Sequence, residues 1–273
     1  MNEKKKLGIV AGSGEIPIQI CQRAKKEGYS IIAAGIQGEF NQKLKKQADL
    51  FALFEMRDFL KLISMFKKNE VSECVFAGKI KHKNIYSTDI TDPTLSSLLK
   101  KTRSRSPDDI VKVVFDYVER QGIEVIDSSR FLSDLFCRPG VLTTKQVSPV
   151  IKEEIEFGWP IAKKMADLEI GQTVVVKDKA VVAVEGMEGT DKTVARGGSL
   201  AGKGCVVIKV ARTSQDIRID QPAVGMITVR TLKEAGCSAL CIEARKVLFI
   251  DKVKALRLAE QNGIIITAKE QKI

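Results

Sequence analysis

The chain has 273 residues, of which 44% are hydrophobic and 29% charged, values typical of a globular protein long enough for two medium-sized domains. Its net charge of +11 is spread along the chain and only 5% of residues are aromatic, so a basic nucleic-acid-binding tail and a stacking platform for single strands are both disfavoured. The apolar runs 180–184 and 7–11 are too short for a membrane span or a signal-peptide core, so we expect a cytoplasmic protein.

The first half of the chain alternates strand-like and helix-like segments. Apolar runs predict strands at 7–11, 30–34, 49–54, 74–77 and 123–126. Apolar residues at helical spacing predict helices at 15–26, 59–66 and 110–120. Such alternation is typical of a parallel sheet covered by helices. We therefore predict a Rossmann-like α/β domain over residues 1–136 that binds a nucleotide or phosphate.

The second half continues the alternation after a break. Residues 137–148, which contain a Pro-Gly pair, are predicted to be a linker. Beyond them we predict a helix at 150–168 and a hairpin formed by 173–177 and 180–185. Further alternating segments are expected at 206–210, 227–235, 239–242, 247–250, 252–261 and 264–267. Residues 149–273 are therefore predicted to form a second α/β domain that carries the catalytic groups.

The cysteine and histidine content narrows the possible chemistry. The six cysteines include no Cys-x-x-Cys pair and most lie in apolar surroundings, which predicts free buried thiols rather than disulfides or zinc ligands. His82 is the only histidine, so sites that need several imidazoles cannot be built. Acid–base or metal chemistry must therefore rely mainly on carboxylates.

Two glycine-containing turns each follow a predicted strand of the first domain: Gly12-Ser13-Gly14 and Gly78-Lys79. The first also opens a helix, where the backbone can approach a phosphate. The second begins a basic stretch at the edge where open α/β sheets bind ligands. We predict that both turns contact an anionic substrate, and the alternatives are a plain tight turn and solvated loops.

Acidic residues of the second domain are candidate metal ligands. Glu185, Glu188 and Asp191 lie with Thr190 on one glycine-punctuated segment directly after an apolar strand. Hard oxygen ligands on a loop suit Mg²⁺, which binds through one or two carboxylates together with substrate phosphate. The alternative is an exposed acidic turn.

Two further acids stand at strand or loop ends. Asp220 precedes a turn fixed by Pro222, and taken alone it suits a turn or cap role as well as a chemical one. Glu243 follows the predicted strand 239–242, where it is either a ligand or a partner of Arg245.

Together these segments resemble the bacterial UDP-2,3-diacylglucosamine pyrophosphatases of the type found where the histidine-rich metallophosphoesterase enzyme is missing. The specific part of the resemblance is the pair of motifs Glu188-Gly-Thr-Asp191 and Asp220-Gln-Pro-Ala-Val-Gly225. Weaker matches at 8–17, 75–78 and 235–251 extend it over nearly the whole chain. Ser13 departs from the pattern, because the family commonly has a third glycine there.

The resemblance implies hydrolysis of UDP-2,3-diacylglucosamine to UMP and 2,3-diacylglucosamine 1-phosphate in lipid A biosynthesis. It also implies dependence on Mg²⁺, a homodimer of two-domain chains and a site between the domains. The family's essential aspartate maps to Asp220. A lipid-modified UDP-sugar would further require transient contact with the inner surface of the cytoplasmic membrane.

These considerations give one mechanistic hypothesis. Mg²⁺ is held by some of Glu185, Glu188, Asp191 and Asp220, and Asp220 acts as a ligand or as a general base. The two glycine turns, Thr190 and Glu243 contact the substrate.

Two alternatives belong to other functional classes. An NAD(P)-dependent oxidoreductase is disfavoured because Pro17 stands where a dinucleotide fingerprint has its third glycine, and because no acid follows the second strand to hold a ribose. A non-catalytic protein that binds nucleic acid or anionic lipid would use the positive charge and would be indifferent to the loss of Asp220.

Overall fold

The computed structural model describes residues 4–80, 93–100, 102, 107–214, 218 and 221–271. The chain divides into two compact units. Unit 1 extends to Ser133 and also includes Arg218, and unit 2 begins at Asp134.

Unit 1 is built on a parallel five-stranded sheet in the order β3-β2-β1-β4-β5. Its strands are β1 (Lys6–Ala11), β2 (Ser30–Ile36), β3 (Leu50–Phe54), β4 (Glu73–Ala77) and β5 (Glu124–Val125). Its helices are α1 (Ile16–Lys26), α2 (Gln42–Gln47), α3 (Phe59–Lys68), α4 (Pro93–Lys100) and α5 (Pro107–Arg120). The predicted parallel sheet is confirmed. Strand β1 is apolar and buried along nearly its whole length, as expected of a central parallel strand.

Unit 2 is built on a mixed six-stranded sheet in the order β6-β13-β11-β9-β7-β8. Its strands are β6 (Gly140–Val141), β7 (Thr173–Lys177), β8 (Ala180–Val184), β9 (Val206–Lys209), β10 (Ala223–Val224), β11 (Ala239–Glu243), β12 (Leu248–Phe249) and β13 (Ile265–Lys269). Its helices are α6 (Pro149–Asp167), α7 (Thr190–Ala201), α8 (Met226–Glu234) and α9 (Lys252–Gln261). Strands β9, β11 and β13 are parallel, and β10 and β12 form a separate short parallel pair.

The strands of unit 2 bury side chains on both faces of the sheet. In β9, Val206 and Ile208 pack in one cluster with Trp159 of α6. Val207, which lies between them, packs in a second cluster with Val194 of α7 and with residues of α8 and α9. Because successive side chains of a strand point to opposite faces, α6 covers one face of the sheet and α7, α8 and α9 cover the other.

The strand directions determine where the polar groups of unit 2 can gather. Strand β8 is antiparallel to β7, and β7 is antiparallel to β9, so β8 runs in the same direction as β9. Strands β8, β9, β11 and β13 therefore all end at one edge of the sheet, which we call the carboxyl edge of unit 2. Helix α7 begins at this edge, since it follows β8.

The predicted linker at 137–148 is part of unit 2. Gly140 and Val141 form strand β6, which pairs antiparallel with β13 at the edge of the sheet. Cys137 lies in the core, and the Thr143 hydroxyl accepts a hydrogen bond from the Ile266 amide at 3.1 Å. A two-residue strand has no periodicity that a sequence could reveal, and the Pro-Gly pair beside it is typical of a connector.

All six cysteines are free and buried, as their spacing predicts. Burial raises the pKa of the Cys241 thiol to about 12, so this thiol is inert rather than nucleophilic at neutral pH. Within the described residues, no helix combines the length and the apolar character that a membrane crossing requires.

Candidate active site

The two glycine turns of unit 1 meet at the point where the strand order reverses. Strands β1 and β4 are neighbours at the centre of the sheet. From β1 the chain continues to β2 and β3 toward one lateral edge, and from β4 it continues to β5 at the other. The Ser13 amide donates to the Lys79 carbonyl at 2.8 Å, and the Lys79 amide donates to the Ser13 carbonyl at 2.9 Å. Ligands of open α/β sheets bind beyond the carboxyl ends of the strands at such a reversal. The structure thus brings the predicted phosphate-binding residues together.

The glycines of these turns have two different roles. A Cβ atom on Gly12 would lie 2.6 Å from the Lys79 carbonyl oxygen, and one on Gly78 would lie 2.7 Å from that of Ser13. These two glycines therefore permit the turns to approach each other. Gly14 has a φ of +102°, and a Cβ atom there would meet no described atom within 4 Å, so its surroundings are open to a ligand. The Ser13 hydroxyl donates to the Lys79 carbonyl at 2.8 Å, and the Lys79 side chain is exposed.

A buried cluster at the carboxyl edge of unit 2 joins four polar side chains. Lys209 ends β9 and is 4% exposed, and Glu185 directly follows β8 and is 9% exposed. The Lys209 Nζ donates to Thr190 Oγ1 at 2.7 Å and to Thr173 Oγ1 at 3.3 Å, and it lies 3.7 Å from Glu185 Oε2. Thr190 Oγ1 in turn donates to Glu185 Oε1 at 3.0 Å. We call Thr173, Glu185, Thr190 and Lys209 the Lys209 cluster.

The cluster keeps Glu185 ionised. Burial acts to raise the pKa of this carboxyl group. The Lys209 ammonium, the hydroxyls of Thr173 and Thr190 and the Gln172 amide favour the charged form and outweigh burial, so the pKa lies below its ordinary value. The negative charge of this buried carboxylate is thus balanced by Lys209, whereas the sequence predicted that Glu185 is a metal ligand.

Glu188 stabilises the turn that precedes α7 through hydrogen bonds to its carboxylate. Its carboxylate accepts hydrogen bonds from Arg196 Nη2 at 2.7 Å, the Gly186 amide at 3.0 Å and the Thr193 hydroxyl at 3.2 Å. The Arg196 guanidinium is the main reason why the pKa of Glu188 lies below its ordinary value. This second predicted metal ligand therefore already has a cationic partner.

Asp191 differs from both glutamates. It lies in the first turn of α7, and its Oδ1 atom is buried with no hydrogen-bond partner among the described residues. A buried carboxylate oxygen without a donor is costly unless a cation or water satisfies it. Among the described residues, no three His, Cys, Asp or Glu side chains come together as a metal site. Asp191 alone of the three described candidates fits Mg²⁺, and Asp220, like His82, lies outside the described residues.

Glu243 is an internal residue on the opposite face of the same edge. It is 1% exposed, and its carboxylate pairs with Lys163 of α6 at 3.1 Å and with Lys246 at 3.1 Å. It also accepts the Ala211 amide at 2.9 Å. These partners disagree with the predicted role in substrate contact, because the end of β11 is covered by α6 and by the chain that leaves β9. Arg245, the other predicted partner, pairs with Glu270 instead.

Sequence reasoning missed Lys209 and Lys163. Lys209 is the single charge within the apolar run 205–211, and a lone lysine in a strand buried on both faces signals an internal ion pair. Lys163 lies on the buried side of α6, and the charged residues around it conceal that position.

Two family models match the chain: that of the LpxI N-terminal domain over residues 6–135 and that of the LpxI C-terminal domain over residues 138–267. A relative from Caulobacter vibrioides, the UDP-2,3-diacylglucosamine pyrophosphatase LpxI, is 24% identical over 274 residues, and the match covers 96% of each chain.

Solved structures give only distant similarity. WbmH of Bordetella bronchiseptica, determined with NAD⁺, has a TM-score of 0.37 and 10% identity over 93% of this chain and 72% of its own. Glycinamide-RNase-transformylase T from Mycobacterium tuberculosis has a TM-score of 0.28 and 13% identity over 50% of this chain and 37% of its own. Such scores support no inference about function.

Substitution of Gly78 should destabilise unit 1 through crowding as well as backbone strain. Gly78→Ala adds a methyl group 2.7 Å from the Ser13 carbonyl oxygen at a φ of +93°. Gly14→Ala is the matched control, since its φ is also positive but its surroundings are open. Strain of about 1–2 kcal/mol is expected in both variants, and overlap should cost Gly78→Ala about 2 kcal/mol more in urea unfolding. Equal losses in the two variants would contradict the close approach of the turns.

Glu185 should make the stability of unit 2 sensitive to acid. Its folded pKa lies below the ordinary 4.5, so its contribution is complete above that pH and is lost as the pH falls through the folded pKa. Glu185→Gln leaves Lys209 without its counter-ion and should lower the free energy of unfolding at pH 7 by about 3 kcal/mol. The difference between wild type and variant should shrink as the pH falls from 4.5 through the lower, folded pKa of Glu185.

The control for this acid effect is Glu153→Gln, which removes an exposed carboxylate paired with Lys179 on the surface. It should leave the unfolding free energy nearly unchanged at either pH. A Glu185→Gln deficit that stays constant with pH would show that the ionised carboxylate does not stabilise the fold.

Proposed function

We propose, because the chain belongs to the LpxI family, that it hydrolyses the pyrophosphate of UDP-2,3-diacylglucosamine to give UMP and 2,3-diacylglucosamine 1-phosphate in lipid A biosynthesis. The observation that carries this proposal is the match of the family to both units, together with the similarity of almost the entire chain to a relative that bears this activity in its name.

The residues of unit 1 suit one part of this substrate. The Gly12–Gly14 turn leads into α1, and Gly14 leaves room for a ligand to approach the backbone. Main-chain amides at the start of a helix favour phosphate oxygens, and Lys79 adds an exposed positive charge beside them. The net charge of +11 attracts an anionic substrate in general.

The residues of unit 2 suit the reacting phosphates. Thr190 and Asp191 form the first turn of α7, and the hydroxyl of Thr190 is held in place by Lys209 and Glu185. Asp220 takes the role of the family's essential aspartate, in which it orients the attacking water as a general base or serves as a ligand. Burial of Lys209 and Glu185 strengthens their electrostatic attraction, which keeps Thr190 in place.

Mg²⁺ is part of the proposal, with fewer ligands than the sequence suggested. When bound, the ion would neutralise charge on the pyrophosphate. Asp191 and Asp220 are the carboxylates we assign to it, because Glu185 and Glu188 already have cationic partners. One or two carboxylates suffice for Mg²⁺ when substrate phosphates complete its coordination.

The setting of the reaction follows from the substrate. The acyl chains of a diacylated sugar nucleotide associate with membranes, so we propose that the enzyme makes transient contact with the inner face of the cytoplasmic membrane. We further propose that it is cytoplasmic and works as a homodimer. Nucleic acid is not among the proposed partners.

The direct test is release of UMP from UDP-2,3-diacylglucosamine in the presence of Mg²⁺ or of a chelator. The wild type should form UMP with Mg²⁺ and stop when the metal is chelated. Asp220→Asn and Asp191→Asn should each lose at least a hundredfold in kcat/KM, or about 3 kcal/mol of transition-state stabilisation, while remaining folded.

Asp178→Asn is the matched control, since Asp178 is an exposed aspartate in the β7–β8 turn at the opposite edge of the same sheet. It should keep wild-type turnover. A folded wild type that releases no UMP would refute the proposed activity, and full turnover by Asp220→Asn would remove that residue from the chemistry.

A further inference from the structure

Lys209 fills the space among the oxygens where a metal ion bound to Glu185 would have to sit. Its side chain is 5% exposed, and its ammonium lies 2.7, 3.3 and 3.7 Å from oxygens of Thr190, Thr173 and Glu185. The ammonium thus donates hydrogen bonds to the two threonine hydroxyls and forms an ion pair with the carboxylate. The cluster is thus a cation site whose cation is supplied by the chain itself.

Both carboxylate oxygens of Glu185 already accept a hydrogen bond. Its Oε1 accepts from Thr190 at 3.0 Å, and its Oε2 accepts the Gln172 amide at 3.3 Å and faces Lys209. A Mg²⁺ ion bound to Oε2 at roughly 2 Å would lie close to the ammonium, which is 3.7 Å from the same oxygen. Two cations at that separation repel each other strongly where water is excluded.

Main-chain contacts fix the backbone position of Glu185. Its amide donates to the Thr173 carbonyl at 2.8 Å. Behind it, a Cβ atom on Gly171 would lie 2.2 Å from the Glu185 carbonyl oxygen, so the two backbones are in direct contact. From this backbone position, the hydrogen bonds from Thr190 and from the Gln172 amide hold the carboxylate beside Thr190.

We infer that Lys209 is a positioning residue that holds Thr190 and the first turn of α7, and that Glu185 is its counter-ion rather than a metal ligand. The inference rests on the proposed function, because it assigns the pair to the orientation of the phosphate-binding turn that carries Asp191. A buried ion pair often contributes no more to stability than well-packed apolar residues of the same size, which favours a role in placement over one in folding alone.

The test removes both charges together, in the double variant Lys209→Met/Glu185→Gln, so that neither is left buried alone. Its unfolding free energy should stay close to that of the wild type, while kcat for UMP release falls at least tenfold and KM changes less than threefold. The Mg²⁺ concentration for half-maximal activity should stay within twofold of the wild type. Lys209→Arg, which keeps the charge, should recover part of the lost kcat.

A metal-binding readout independent of turnover accompanies these rates. The shift in melting temperature on adding Mg²⁺ with UMP should be the same in the double variant as in the wild type, and it should be lost in Asp191→Asn. Lys177→Met is the control for loss of a lysine from the sheet, since Lys177 ends β7 at the opposite edge and donates to the Ala201 carbonyl at 2.6 Å. It should keep wild-type kcat.

The outcomes separate the two proposals. Wild-type kcat in the double variant, or a tenfold higher Mg²⁺ requirement, would overturn the inference while leaving the proposed function intact. A wild type that releases no UMP would overturn the proposed function, and the melting shift of the double variant would then decide whether Glu185 binds metal. If the double variant does not fold, Lys209→Arg decides instead: unchanged kcat contradicts the inference, and a lower kcat with an unchanged Mg²⁺ requirement supports it.

Discussion

The arrangement of unit 2 depends on neutralising charge inside the protein at the carboxyl edge of its sheet. Two lysine–carboxylate pairs are buried there, Lys209 with Glu185 on the α7 face and Lys163 with Glu243 on the α6 face. Removing one partner of such a pair leaves a buried charge and costs about 3–5 kcal/mol, so each pair fixes the position of the chain around it. The first holds the start of α7. The second holds the exit from β9, because Lys163 donates to the Ala211 carbonyl at 2.6 Å and Glu243 accepts the Ala211 amide.

In unit 1, main-chain hydrogen bonds rather than buried ion pairs hold the two glycine turns in place. Its two turns are joined by reciprocal main-chain hydrogen bonds between Ser13 and Lys79, and glycines at 12 and 78 permit the close approach. The Lys79 side chain beside them is exposed. The two units thus differ in how they hold these edges: main-chain hydrogen bonds join the turns of unit 1, whereas buried ion pairs hold the carboxyl edge of unit 2.

Sequence patterns were sufficient for the elements whose apolar residues are long and regular. The parallel sheet of unit 1 and the α/β character of unit 2 follow from alternation that the structure confirms. Strand β6 could not be predicted, because two residues carry no period. The acidic segment 185–191 was located, but sequence spacing cannot tell which cation faces each acid. Only the fold shows that Lys209 reaches Glu185 and that Lys163 reaches Glu243, in each case from an element distant in the chain.

Strand β6 also determines where the C-terminal half of the chain can be separated from the rest. It covers the outer side of β13, pairing with Thr267 and Ala268, and so closes an otherwise open border of the sheet. A fragment that begins at residue 149 would leave the backbone groups of Thr267 and Ala268 unpaired on that side. Unpaired edge groups can pair with a strand of another molecule, which leads to aggregation. A fragment that begins at Asp134 keeps β6, so the outer side of β13 stays paired and self-association at this edge is disfavoured.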